Sequence, residues 1–179
     1  MDSDRLNRWL TLGANVGVLV GIILLVFELS QNQEMMRAQT RNEISRAEMD
    51  LLALTAGDRD LSEIIVRANA GEELSDAENL MFTTRSESIF RLWQNVHYQY
   101  RHGMYDESEF VKHRDTMSDV LGGNESLVSY WCRVRDLYSS AFAADLDDLL
   151  PLNLYCFMKV IFQAPRKSFI AKPVARSLG

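Results

Sequence analysis

Nineteen consecutive residues, Trp9 to Phe27, contain no Asp, Glu, Lys or Arg. At about 1.5 Å per residue the run makes a helix of roughly 28 Å, close to the ~30 Å hydrocarbon core of a bilayer. Twelve of the nineteen are Leu, Ile, Val or Phe. Each favours insertion by roughly 0.3–0.6 kcal/mol near a membrane helix centre, so roughly 4–7 kcal/mol together. Asn15 and three glycines oppose this, and the balance still favours insertion. A cleaved signal peptide needs a shorter apolar run and small residues before the cut; here the run exits through Val26, Phe27, Glu28 and Leu29. A buried helix of a soluble domain seldom goes so far without a charge. The stretch reads as an uncleaved transmembrane helix over residues 9–27, preceded by a short polar tail over residues 1–8.

Gly13, Gly17 and Gly21 recur every four residues within it. Helices in lipid associate through close backbone packing and interhelical hydrogen bonds, and glycine at this spacing opens a groove that a second helix can enter. Two overlapping G-x-x-x-G patterns, with Asn15 nearby, mark Gly13, Gly17, Gly21 and Asn15 as the expected helix-packing residues of a homo-oligomer.

The remaining chain is long enough to bury a core of its own. The net charge of −6 conceals an asymmetry: residues 151–179 hold Lys159, Arg166, Lys167, Lys172 and Arg176 and no acid, so the first 150 carry a balance of −11. An acidic body argues against nucleic acid as a partner. The basic tail calls for something anionic, and a membrane surface is nearest. That tail also holds an apolar run, Leu152 to Phe162, too short to cross a bilayer. It reads either as an interfacial segment on anionic lipid or as a segment packed on the domain.

Between residues 28 and 150 helix formers dominate and no segment alternates at period two, which gives an all-α fold. No Gly or Pro interrupts the chain from Leu29 to Gly57, so the spanning helix is expected to run on to about Ala56, with Ile44, Ala47, Leu51 and Leu54 as its inner face. Apolar periodicity is poor between Leu29 and Asn42, which weakens a regular coiled coil there. A short helix over about 60–70 follows, with Leu61, Ile64, Ile65 and Ala68 inward. Ser75 and Glu78 form a capping-box signature opening the longest soluble helix, to about His102, with Phe82, Ser86, Ile89, Trp93, Val96 and Tyr100 as its stripe. Asp106 with Glu109 opens the next helix, to about Leu121, with Phe110, Met117 and Val120 inward. Asn124 is expected to cap a helix presenting Leu127, Trp131, Val134 and Tyr138. A last acidic helix over about 140–150 carries Phe142, Leu146 and Leu149.

Chemistry is sparse. His97 and His102 are five apart and share no helix face well. His113 follows Glu109 by four residues, not the three of di-iron bundles, and no H-E-x-x-H occurs. Asp145, Asp147 and Asp148 lack the glycine and distal Glu of a calcium loop and read as a solvated face. No Ser lies in G-x-S-x-G, and Gly122-Gly123 follows a helix instead of opening a phosphate turn. No catalytic, cofactor or metal site is expected, and the chain reads as non-enzymatic. Cys132 and Cys156 could form one bridge, but Cys132 on an apolar-faced helix favours a buried free thiol.

The exit Glu28-Leu29-x-Gln31-Asn32, the Trp93 and Trp131 helices, and Phe142-x-x-x-Leu146 resemble a broad group of uncharacterised bacterial single-pass membrane proteins. The resemblance covers about residues 9–150. It implies bacterial origin, hence the inner (cytoplasmic) membrane, and this architecture; it brings no activity and no functional residues. Orientation is nearly balanced by Arg5, Arg8 and the amino terminus against Arg37, Arg41 and Arg46, and the scarcity of cysteines favours a cytoplasmic domain. The expectation is a scaffold or sensory module with the bilayer, a second copy and an unidentified protein as partners. The alternative is an oligomeric channel or membrane-remodelling protein with Asn15 facing a pore.

Overall fold

The computed structural model describes residues 3–150 together with Cys156. Among the described residues the fold is all-α: α1 (Ser3–Gly57), α2 (Arg59–Asn69), α3 (Asp76–Arg101), α4 (Glu107–Gly122), α5 (Glu125–Val134), a 3-10 turn (Arg135–Leu137) and α6 (Ser140–Asp148). They form two compact units that divide within α4, at Thr116 and Met117.

In the first unit α1 is one unbroken helix of 55 residues, about 80 Å long. It begins inside the polar tail and stops where Gly57 ends the run of helix formers. The stop is held by hydrogen bonds across the turn. Ser62 Oγ donates to the Thr55 carbonyl at 2.6 Å, and the Asp58 side chain accepts from Leu61 N at 3.0 Å to cap α2. Leu61 and Ile64 are the buried residues of α2. Gly71, at φ 74°, takes the left-handed conformation that closes a helix without a Cβ clash. Arg67 binds the chain's return around it, contacting Glu72, Glu78 and the Glu73 carbonyl.

The expected capping box is present: Glu78 N donates to Ser75 Oγ at 3.4 Å and Ser75 N to Glu78 Oε2 at 2.8 Å. Those bonds to Ser75, with Arg67 beside them, hold the Glu78 carboxyl below its usual range, and Glu78 holds Arg67 above its own. The α3 stripe falls as expected at Phe82, Ser86, Ile89, Trp93 and Val96, and Phe90 and His97 are buried beside it. Ser86 is accommodated in the interior because its hydroxyl donates to the Phe82 carbonyl at 2.8 Å. Ile44, Val96 and Phe110 form a core cluster with Leu92, Tyr100 and Tyr105 packed against it. The Tyr100 and Phe110 rings stack at 3.9 Å.

The inner face of α1 differs from the expected one. Ile44 is buried and Leu51 half-buried, but Ala47 and Leu54 are exposed; Thr40, Glu48 and Thr55 stand in the face instead. Polar partners draw Thr55 and Glu48 in. Arg85 Nε donates to Thr55 Oγ1 at 3.2 Å, and Glu48 Oε1 lies 3.0 Å from His113 Nδ1. Burial pushes the Arg85 guanidinium below its usual range.

In the second unit Trp131, Tyr138 and Phe142 form an aromatic cluster with ring centroids 5.2–5.8 Å apart, joined in the buried set by Met117, Leu121, Leu127 and Leu146. Ser139 caps α6 by accepting from Phe142 N at 3.4 Å. Three expectations are corrected here. Asn124 does not cap α5 through its side chain; its Nδ2 donates back to the Val120 carbonyl at 2.6 Å, closing α4. Asp147 is not on a solvated face: Trp131 Nε1 donates to it at 3.0 Å, and Arg135 pairs with its other oxygen. Cys132 is not a free thiol but is disulfide-bonded to Cys156, with Cα atoms 5.4 Å apart, within the usual span of such bonds.

Candidate functional site

The span and the domain share one helix, so the faces of α1 relate the two. Counting about 100° per residue, Gly17 lies about 180° from Ile44, and Gly13 and Gly21 fall within about 40° of Gly17. The three glycines therefore line the side of α1 opposite the residues that bind α3 and α4. A Cβ added at any of them would meet no atom within 4 Å, so this side of α1 stands open.

Asn15 is not brought together with them. It lies about 160° from the glycine line and within about 20° of Ile44's. It shares its face with Asp4, Arg8 and Thr11, which line a shallow groove together with Asn7 and Leu12. Thr11 satisfies its hydroxyl on the Asn7 carbonyl at 2.9 Å. The first turns of α1 thus carry a polar face, and the glycines form a separate one. Lys159, Arg166, Lys167, Lys172 and Arg176, expected at a membrane surface, lie outside the described residues, as does the apolar run before them apart from Cys156.

The segment of α1 after the span is tied to the α3–α4 turn along its inner face. Arg37 Nε donates to the Gly103 carbonyl at 2.9 Å, Arg41 pairs with Glu109 at 2.9 Å, and Glu48 binds His113. Gly103, at φ 71°, ends α3 in the left-handed conformation that turns its carbonyl toward Arg37. The points of attachment show that α3 runs antiparallel to α1: residue 37 meets 103 while residue 55 meets 85. The α3–α4 turn is therefore the part of the first unit nearest the span.

Glu34, Arg37, Ala38 and Arg41 line a cleft with Tyr105, Asp106 and Glu109. Burial, with Glu48 and Glu109 nearby, pushes the Tyr105 phenol above its usual value. His113 is 8% exposed, and its Nε2 has no hydrogen-bond partner among the described residues. Sequence reasoning placed none of these residues at a site. The signal was Thr40, Glu48 and Thr55 repeating at helical spacing through Ile44.

Among the described residues no group of three or more His, Cys, Asp or Glu side chains could hold a metal ion. Among the described residues one helix, α1, is long and apolar enough to cross a membrane, and none of its apolar window is buried against them. A scan against protein-family models, a search of curated proteins and a search of solved structures each find no match to this chain. Fold and geometry together define a helical unit whose first helix is continuous with a candidate membrane span.

Proposed function

We propose that the protein is a non-enzymatic single-pass membrane protein whose helical domain serves as a scaffold or sensory module, and that copies associate through Gly13, Gly17 and Gly21. One observation carries the reading: the glycine groove and the domain occupy opposite sides of a single unbroken helix. A second span can enter the groove without displacing the domain, and rotation of the spans reaches the α3–α4 turn through Arg37, Arg41 and Glu48. Replacing Gly17 and Gly21 with Ile in the full chain tests it. Dimers captured by crosslinking in membranes fall several-fold if the groove is the contact, and an unchanged dimer fraction contradicts it. The Glu28-Leu29-x-Gln31-Asn32 exit supports a bacterial inner-membrane setting by resemblance.

The disulfide removes the argument that favoured a cytoplasmic domain. Such bonds persist in oxidising compartments, and the near balance of Arg5, Arg8 and the amino terminus against Arg37, Arg41 and Arg46 does not oppose that placement. The domain is accordingly proposed on the outer face of the membrane. Thiol labelling of intact cells decides it: a bridge already formed before lysis supports the outer face, and two reduced thiols in freshly quenched cells contradict it.

The second reading, an oligomeric channel, draws on the polar face of Asp4, Arg8, Thr11 and Asn15. Purified protein in a planar bilayer passes current under that reading and stays silent under the first.

A further inference from the structure

Cys156 is the fifth of the eleven residues in the apolar run Leu152 to Phe162, and it is bonded to Cys132 of α5. The bond pins the middle of that run to the second unit. No residue of the run stands more than six places from Cys156, so none can lie more than roughly 20 Å along the chain from it. Apart from Cys156 the segment from Pro151 onward lies outside the described residues. Its sequence states what it needs: cover for apolar side chains and partners for five bases.

We infer that the chain beyond Leu150 docks on α5 and α6 of its own second unit. The apolar run covers the face that carries Cys132, and Lys159, Arg166, Lys167, Lys172 and Arg176 meet the acids beside it. The inference does not depend on the self-association proposed above. It gives the basic residues a protein surface as their partner where the sequence pattern suggested lipid.

Three observations select this occupant. The first is charge. Residues 117–150 hold six Asp or Glu against Arg133 and Arg135, and both bases are already engaged. Arg133 stands over the Tyr130 ring at 5.7 Å, and Arg135 pairs with Asp147. Residues 151–179 supply five bases and no acid, so the complement of the acidic unit is covalently attached to it.

The second is position. Glu125 precedes Cys132 by seven residues, which places it within about 20° on the same side of α5. Asp136 follows Cys132 by four residues, in the 3-10 turn that continues the helix. The point of attachment thus has an acid on either side along its own line. Asp136, and Asp148 at the end of α6, are exposed.

The third is the tether. A short covalent link makes docking intramolecular, with an effective concentration in the millimolar range. A bilayer must compete with that, and the acids of the same unit are repelled by anionic lipid.

Benzoylphenylalanine in place of Phe162 or of Phe169, one at a time in the full chain, tests the inference in native membranes without reductant. Both positions follow the disulfide and already carry a phenyl ring. Irradiation is expected to join each of them to α5 or α6 of the same chain. Asp136→Lys combined with Asp148→Lys, at two exposed sites, should lower the yield from position 169 several-fold while near-UV circular dichroism is unchanged. Lipid adducts in place of these products overturn the inference. So do products within residues 3–116 or in another chain, and so does the absence of any product. A yield at 169 that is indifferent to the charge reversal overturns the pairing of the bases with these acids.

Discussion

Trp131 and Asp147 are joined by a 3.0 Å hydrogen bond between helices α5 and α6, and the other oxygen of the same carboxylate pairs with Arg135. One side chain therefore satisfies the indole N–H of a fully buried tryptophan and closes the second unit. The acidic helix α6 is held through Asp147 as well as through the buried Phe142 and Leu146.

Asp147→Ala leaves the Trp131 N–H and the Arg135 guanidinium without this partner. An expected loss of about 1–3 kcal/mol follows for a polar group left buried and unpaired. Trp131→Phe removes the hydrogen bond and also part of the indole's volume at a fully buried position, so the expected loss is about 1–3 kcal/mol. Urea unfolding of the detergent-solubilised full chain, followed by near-UV circular dichroism, measures both.

Glu48→Ala exposes the same logic in the first unit. His113 is buried, Glu48 is its partner at Nδ1, and its Nε2 is already unpaired. Removing Glu48 is expected to destabilise the first unit by about 1–3 kcal/mol. Restoring the wild-type midpoint by adding His113→Phe to Glu48→Ala, in a double-mutant cycle, identifies the pair as the cause.

Acid sensitivity follows from Glu78. Its carboxyl is held below the usual range by Ser75 and then Arg67, so it stabilises the folded chain fully above its unfolded value of about 4.3. That contribution fades as pH falls through the lower folded value. The gap in thermal midpoint between wild type and Glu78→Gln should be widest near neutral pH and close in acid. A gap that widens in acid contradicts this account.

Cys132 and Cys156 are 24 residues apart in sequence, and closing a loop of that length contributes about 3 kcal/mol in the chain-entropy picture. Reduction or Cys132→Ser should lower the unfolding midpoint of the second unit accordingly. Maleimide should label no thiol in the protein isolated without reductant, and two after reduction.

The legible parts of the fold were those written in local periodicity. Ser75 and Glu78 gave the start of α3, and Phe82 through Val96 repeat at helical spacing, so both could be read directly. The inner face of α1 was half legible, because Ile44 and Leu51 are apolar while Glu48 and Thr55 enter the face through partners that are distant in sequence. The same holds for Asp147, whose role depends on Trp131 sixteen residues earlier, and for the disulfide, which needs two segments brought together in space. That Gly13, Gly17 and Gly21 share one face was legible because spacing four keeps one side of a helix. Asn15 lies off the glycine face because proximity in sequence is not proximity on a helix: two residues turn the chain by about 200°.

The central claim is that hydrocarbon surrounds α1 between Trp9 and Phe27. Washing membranes that contain the full-length chain with alkaline carbonate, followed by sedimentation, tests it most directly. The chain should remain in the pellet and leave it only with detergent. Recovery of the chain in the carbonate supernatant would contradict the claim.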